Sequence, residues 1–195
     1  MIAVSRKNLP HGEQSRHAHA LLAECLQSAG VAYIDGVTPL RFGEHGKPSL
    51  AEFPDVHFNL SHANGVTACI VTDGECGIDC ECVRPCRMRV AKKVFSDEEQ
   101  AALEAVGESG RDMLFFRIWT LKEAFVKALG IGISYPMNTV TFMLTDSTVR
   151  STAEGFYFSQ YIINDSAIVS VCEKTEMPQT VKRIRTDDKR LILRE

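Results

Sequence analysis

The sequence predicts an α+β fold built from two similar halves. Three observations predict it. A segment of helical period is followed by three segments of strand period, and further helical segments are followed by three more. The texture breaks at Pro85, which divides the chain near residues 83–89 into halves of about 1–85 and 86–195. The 195 residues, 45% hydrophobic and 24% charged, suffice for one substantial core or two small fused ones. No internal sequence repeat accompanies this order of elements.

Ser15 to Ser28 reads as a first helix, with Leu21, Leu22, Cys25 and Leu26 on its apolar side and Gly30 as its stop. Residues 41–48, Arg-Phe-Gly-Glu-His-Gly-Lys-Pro, are turn-rich. Val56, Phe58 and Leu60 alternate in a strand over 56–60, with Ser61 and His62 just past its end. Strands over 66–72 and 76–83 follow. Asp73-Gly74 between them predicts a type I′ hairpin that pairs the two directly. Ser96-Asp97-Glu98-Glu99 is a capping box opening a helix to about Val106, and 107–110 reads as a loop. A long helix over 112–129, stopped by Gly130, carries Leu114, Ile118, Leu121, Phe125 and Ala128 as its core stripe. Three strands, 139–144, 156–163 and 167–173, close the second half, with Asn164-Asp165 turning the last two. The charged stretch 182–195 reads as an edge strand or a tail.

Composition excludes some functions. A net charge of −3 argues against bulk nucleic-acid binding. No apolar run approaches the ~18 residues of a membrane span, and the N-terminus shows no signal-peptide pattern. Seven cysteines, an odd number in a chain too long to need staples, favour free thiols in a reducing, cytoplasmic setting. Cys76, Cys80, Cys82 and Cys86 lack the paired knuckles of common zinc sites and read as core packing.

Two segments carry chemistry. In Gly77-Ile78-Asp79-Cys80-Glu81, strand alternation points both carboxylates to one face. In Trp119-Thr-Leu-Lys-Glu-Ala-Phe-Val-Lys127, helical spacing puts Glu123 and Lys127 on a shared face. If the faces meet, Asp79, Glu81 and Glu123 form an all-oxygen pocket suited to Mg²⁺, with Mn²⁺ as the alternative. Lys127 would stand at its rim. Taken singly, a D-x-E strand is more often a solvated face and a Glu/Lys pair a surface ion pair; Phe116 and Trp119 read as packing.

These motifs occur in the order Gly46-Lys47-Pro48, Phe58-Asn-Leu-Ser-His-Ala-Asn-Gly65, Gly77-Ile-Asp-Cys-Glu81 and Trp119 through Gly130. The chain thereby resembles the Sfp-type 4′-phosphopantetheinyl transferases of the holo-acyl-carrier-protein synthase superfamily, over about Phe42 to Pro136. The resemblance implies a pseudo-twofold α+β fold with coenzyme A and Mg²⁺ between the halves. It implies transfer of the phosphopantetheine arm of coenzyme A to a serine of an apo acyl, peptidyl or aryl carrier protein, releasing adenosine 3′,5′-bisphosphate. Asp79, Glu81 and Glu123 would hold the metal. Glu123 would also accept the serine proton, and Lys127 would stabilise the leaving bisphosphate. Ser61 and His62 match positions at the 3′-phosphate, and Lys47 and Gly46 positions beside the nucleotide. Arg16, His19 and Arg41 are candidates for a further basic grip. Lys122 is expected to reach coenzyme A phosphate or solvent. The basic run Arg84, Arg87, Arg89, Lys92 and Lys93 either steers an acidic carrier or is a plain solvated helix start. Two fused halves make a monomer the default.

Three other readings compete. A non-catalytic coenzyme A or carrier-protein binding module would not need the intact carboxylate set. A different coenzyme-A-dependent acyltransferase lacks an evident nucleophile pair. A hydrolase using Ser61, His62 and Asp79 fails because adjacent side chains on an extended segment diverge.

Overall fold

The computed structural model describes residues 1–194. Glu195, the end of the charged stretch, lies outside the described residues. Two four-stranded sheets form the centre. The first runs β12 (Arg190–Arg194), β1 (Ile2–Ser5), β5 (Val66–Thr72), β4 (His57–Ala63). The second runs β11 (Val181–Ile184), β9 (Tyr157–Ile163), β10 (Ala167–Glu173), β6 (Cys76–Cys82). Within them β11 lies parallel to β9, and the other pairs are antiparallel. The α+β class matches the expectation. Each sheet, however, has four strands rather than three, and each draws a strand across the division at Pro85: β12 joins the first and β6 the second.

The sheets pack face to face over Ile2, Val4, Ala68, Ile70, Ile78, Cys80, Val169 and Val171, all buried. Alternation sends the intervening residues outward, where helices cover them. Helix α1 (His11–Ser28) buries Leu21, Leu22, Cys25 and Leu26 against Phe58, Cys69 and Val71. A longer helix, residues Gly107–Leu129, covers the other sheet with Leu121, Ala124, Phe125 and Ala128 against Phe158, Ile162 and Cys172. The order is helix, sheet, sheet, helix, and each fully buried Leu, Ile or Phe contributes roughly 1.5–3 kcal/mol.

Two shorter helices precede the long one. Helix α2 (Met88–Val94) takes up much of the basic run, and α3 (Asp97–Ala105) opens on the expected capping box, with Ser96 and Glu99 exchanging side-chain-to-backbone bonds. The long helix, α4, begins at Gly107, so the predicted loop at 107–110 is helical; it ends at Gly130, whose φ of 70° is the left-handed stop expected. Asn164 and Asp165, both at φ 50°, turn β9 into β10. Two small hairpins, β2 (Leu40–Phe42) with β3 (Pro48–Leu50) and β7 (Phe142–Leu144) with β8 (Val149–Ser151), complete the chain.

The Asp73-Gly74 hairpin does not form. Strand β5 is already flanked by β1 and β4, so it has no free edge for β6. The fully buried β10 needs a second neighbour, and β6 crosses to supply it.

Candidate active site

The site lies where the edge strand of each sheet meets the other. The outward backbone groups of β6 have no strand partner on that side and would be costly if left bare. Side chains satisfy them. The Ile78 N–H donates to Asn59 Oδ1 at 2.9 Å, and the Cys80 N–H to Ser61 Oγ at 3.2 Å. The Cys76 carbonyl accepts from Lys47 Nζ at 2.9 Å and the Ile78 carbonyl from Lys127 Nζ at 3.2 Å. Ser61 and His62 are therefore not past the strand but inside β4, with Ser61 turned inward and His62 exposed.

Gly77 sets the distance between β6 and α4. A Cβ there would sit 2.0 Å from the Ala124 carbonyl oxygen and 2.4 Å from the Ala128 nitrogen. The helix backbone thus rests on the bare strand, which only glycine permits. Asp79 and Glu81 share the Gly77 face by alternation, and Glu123 and Lys127 flank the Ala124 contact.

Lys127 Nζ donates to Asp79 Oδ1 at 2.7 Å and to Ser61 Oγ at 3.0 Å, while Ser61 Oγ itself donates to Asp79 Oδ1 at 2.8 Å. Burial opposes the Lys127 charge, but the Asp79 carboxylate outweighs it and holds the ammonium above its ordinary range. For Glu123, burial and then the charges of Asp79 and Glu81 push the carboxyl up to about 7, against the pull of Lys127. Glu81 is turned toward Arg84, whose Nη1 meets its Oε2 at 2.6 Å.

Among the described residues no group of three His, Cys, Asp or Glu side chains is gathered closely enough to hold a metal ion. The donor chemistry nonetheless fits a hard divalent cation: burial first, and then the charges of Asp79 and Glu81, keep Glu123 protonated to about pH 7, and a cation beside these oxygens would relieve both. What keeps their oxygens apart is partnership, Asp79 with Lys127 and Glu81 with Arg84.

A cleft of ≈ 260 Å³ opens beside this cluster, lined by Gly46, Lys47, Asn59, Glu123, Lys127 and Gly130 among others. Lys47 reaches it, yet its ammonium already donates to the Ala128 carbonyl at 2.8 Å as well as to Cys76, and so closes the C-terminal end of α4. His62 is held below its ordinary pKa by burial, then by Lys127, His11 and His19. It stands in a positive neighbourhood. Arg16 on α1 and Arg41 on β2 are exposed and make no ion pair among the described residues. His19 is bonded to Tyr33 and Asp35, each at 3.0 Å.

Lys122 corrects its expectation. It is 1% exposed, pairs with Glu99 at 2.8 Å and donates to the Met137 and Val140 carbonyls. It locks α3 and the loop after α4 to the helix and cannot meet a ligand. The cysteines behave as packing: all seven are free, with Cys76 and Cys80 in the core between the sheets. Sequence reasoning gave no role to Asn59, and placed Arg84 only in the basic run rather than on Glu81. Asn59 had only its place in the Phe58–Gly65 motif as a signal, and Arg84 its spacing of three from Glu81.

Residues 75–186 match the family model described as the 4′-phosphopantetheinyl transferase superfamily. This chain belongs to that superfamily. The matched span of this phosphopantetheinyl transferase homologue contains Asp79, Glu81, Glu123 and Lys127, and leaves Lys47, Ser61 and His62 outside. It is 36% identical over 148 residues to the 4′-phosphopantetheinyl transferase AcpT of Salmonella typhi, covering 73% of this chain and 72% of that one. It is 34% identical over 130 residues to a 4′-phosphopantetheinyl transferase of Bacillus subtilis, covering 65% of this chain and 58% of the relative. For 4′-phosphopantetheinyl transferase Sfp of B. subtilis strain 168 the figures are 35% over 101 residues, 52% and 45%. The chain thus spans only about half the length of these Bacillus relatives. The solved holo-[acyl-carrier-protein] synthase of Thermotoga maritima aligns at 23% identity and a TM-score of 0.41, over 53% of this chain and 64% of that one. Among the described residues no helix is long and apolar enough to cross a membrane.

Proposed function

We propose that this chain transfers the 4′-phosphopantetheine arm of coenzyme A to a serine of an apo carrier protein, with adenosine 3′,5′-bisphosphate as the leaving product. The observation that carries this reading is the convergence of Asp79, Ser61, Lys127 and Glu123 at the joint of the two sheets, beside the 260 Å³ cleft. Supporting it are family membership and the relatives named for this activity.

Asp79, Glu81 and Glu123 are the residues that would hold Mg²⁺, with Mn²⁺ as the alternative. When bound, the cation neutralises the pyrophosphate oxygens of coenzyme A. The chain's own groups do the rest. Lys127, charged and fixed by Asp79 and Ser61, offers a cation to the leaving bisphosphate without reorganising. Glu123, whose carboxyl titrates near neutrality, is matched to accepting the proton of the attacking serine. The residues that would hold the 3′-phosphate are His62, with His11 and His19 near it, and the uncommitted Arg16 and Arg41. Lys47, committed to β6, acts by shaping the cleft wall, and Ser61, also committed to β6, acts by positioning Asp79 and Lys127. The exposed Arg87, Arg89, Lys92 and Lys93 suit an acidic carrier. Free thiols fit a reducing cytoplasm, and a monomer is the assembly proposed.

The test is mass spectrometry of apo acyl, peptidyl and aryl carrier proteins incubated with the protein, coenzyme A and Mg²⁺. A gain of about 340 Da on a carrier serine is expected, because the cofactor supplies the transferred group and the protein positions it. Loss of that gain in Asp79→Ala, Glu81→Ala and Glu123→Ala, each still folded, completes the case. Coenzyme A binding with no mass gain on any of the three carrier classes would overturn it in favour of a non-catalytic module.

A further inference from the structure

Glu81 faces two claims on its carboxylate. Arg84 Nη1 and Nη2 donate to its two oxygens at 2.6 and 3.3 Å. Nη1 also donates to the Cys82 carbonyl at 3.0 Å, and the guanidinium lies over the Phe116 ring, 4.6 Å from its centroid. Three contacts hold the same group, two from β6 and one from α4. Yet the Arg84 side chain is 54% exposed and that of Glu81 only 17%. The guanidinium can therefore return to water while the carboxylate, once freed, remains inside the site. Lys127 differs: Asp79, Ser61 and the Ile78 carbonyl all hold its ammonium inside the site.

We infer that Arg84 is a latch on Glu81: it holds the carboxylate away from the cation position until a divalent cation displaces the guanidinium. Arg84 is then a positioning residue that sets cation affinity. The inference rests on the proposed role of Glu81 as a metal ligand. It accounts for the absence of a gathered acidic triad among the described residues, because one member is bidentately engaged elsewhere. It also links cation entry to the surface. The released guanidinium leaves a pocket of ≈ 330 Å³ whose lining includes Glu81, Arg87, Phe116 and Trp119, so its departure changes the surroundings of the chain's single tryptophan.

The test is Mg²⁺ titration of the coenzyme-A-saturated protein, followed by calorimetry and by Trp119 fluorescence. Arg84→Gln should bind Mg²⁺ about five-fold more tightly, the size of a part-exposed bidentate pair. Arg87→Gln removes an equal charge from the same pocket without touching Glu81, and should shift affinity by less than half as much. The Mg²⁺-induced change in Trp119 fluorescence should appear in wild type and Arg87→Gln and vanish in Arg84→Gln. Equal affinity shifts in the two variants, or a fluorescence change surviving in Arg84→Gln, would overturn the latch while leaving the metal assignment standing. Mg²⁺ binding that is no tighter in wild type than in Asp79→Asn would overturn both.

Discussion

Replacing Gly77 with alanine puts one methyl into the backbone of α4. The new Cβ would lie 2.0 Å from the Ala124 carbonyl oxygen and 2.4 Å from the Ala128 nitrogen. Both are main-chain atoms of a helix packed along its length, so no rotamer change relieves the clash. The helix must retreat by about 1 Å to restore even a tight contact. Overpacking of this kind costs about 1–3 kcal/mol, and a clash with rigid backbone belongs at the upper end. With an m-value of about 2 kcal/mol/M, the urea midpoint should fall by roughly 1.5 M. The same retreat draws Glu123 and Lys127 away from Asp79, and a displacement of ~1 Å at a reacting centre lowers turnover by about 100-fold. Gly12→Ala is the control: nothing lies within 4 Å of the methyl it would add, and it sits in α1, where alanine is the better helix former. It should be neutral or slightly stabilising. A Gly77→Ala protein with an unchanged urea midpoint and wild-type carrier modification would refute the close-approach argument.

Three further outcomes follow from the same geometry. Glu123 has a folded-state pKa of about 7, above its ordinary 4.5, so its contribution is fully present below pH 4.5 and is lost as pH rises through 7. In chelator, wild type should lose at most about 3 kcal/mol more than Glu123→Gln between pH 4.5 and 8, and equal losses in urea titrations would contradict the raised pKa. Lys122→Met should cost about 3–5 kcal/mol by leaving Glu99 charged and buried, and adding Glu99→Gln should recover part of it; unchanged thermal unfolding of the single variant would count against the buried pair. If Arg87, Arg89, Lys92 and Lys93 steer an acidic carrier, its stopped-flow association rate should fall steeply with added salt and be flat in a variant with all four neutralised.

The sequence was most readable where a single physical rule acts locally. Ser96 and Glu99 announce a capping box because both halves of it lie within one turn. Gly130 ends α4 because the left-handed conformation is cheap for glycine. The Asp79/Glu81 face follows from strand alternation and the Glu123/Lys127 face from helical spacing. Elements with weak local signals were missed: β1, β8 and α2 are short. Within 182–195, read as an edge strand or a tail, pairing with β1 across nearly the whole chain makes β12 the edge strand of its sheet. The 73–74 turn misled because its dipeptide is compatible with a hairpin, while the choice of partner depends on which strand edges remain open.

Local chemistry therefore determined which residue types stand on each face and where helices begin and end. Only the folded arrangement decided what those residues touch. It turned Lys122 inward to Glu99, committed Lys47 and Ser61 to the bare edge of β6, and gave Glu81 to Arg84. The reason is that a polar group is satisfied by whichever partner packing brings within about 3 Å, and residues such as Ser61 and Asp79 or Lys47 and Ala128 are distant in sequence until the sheets and α4 close over them.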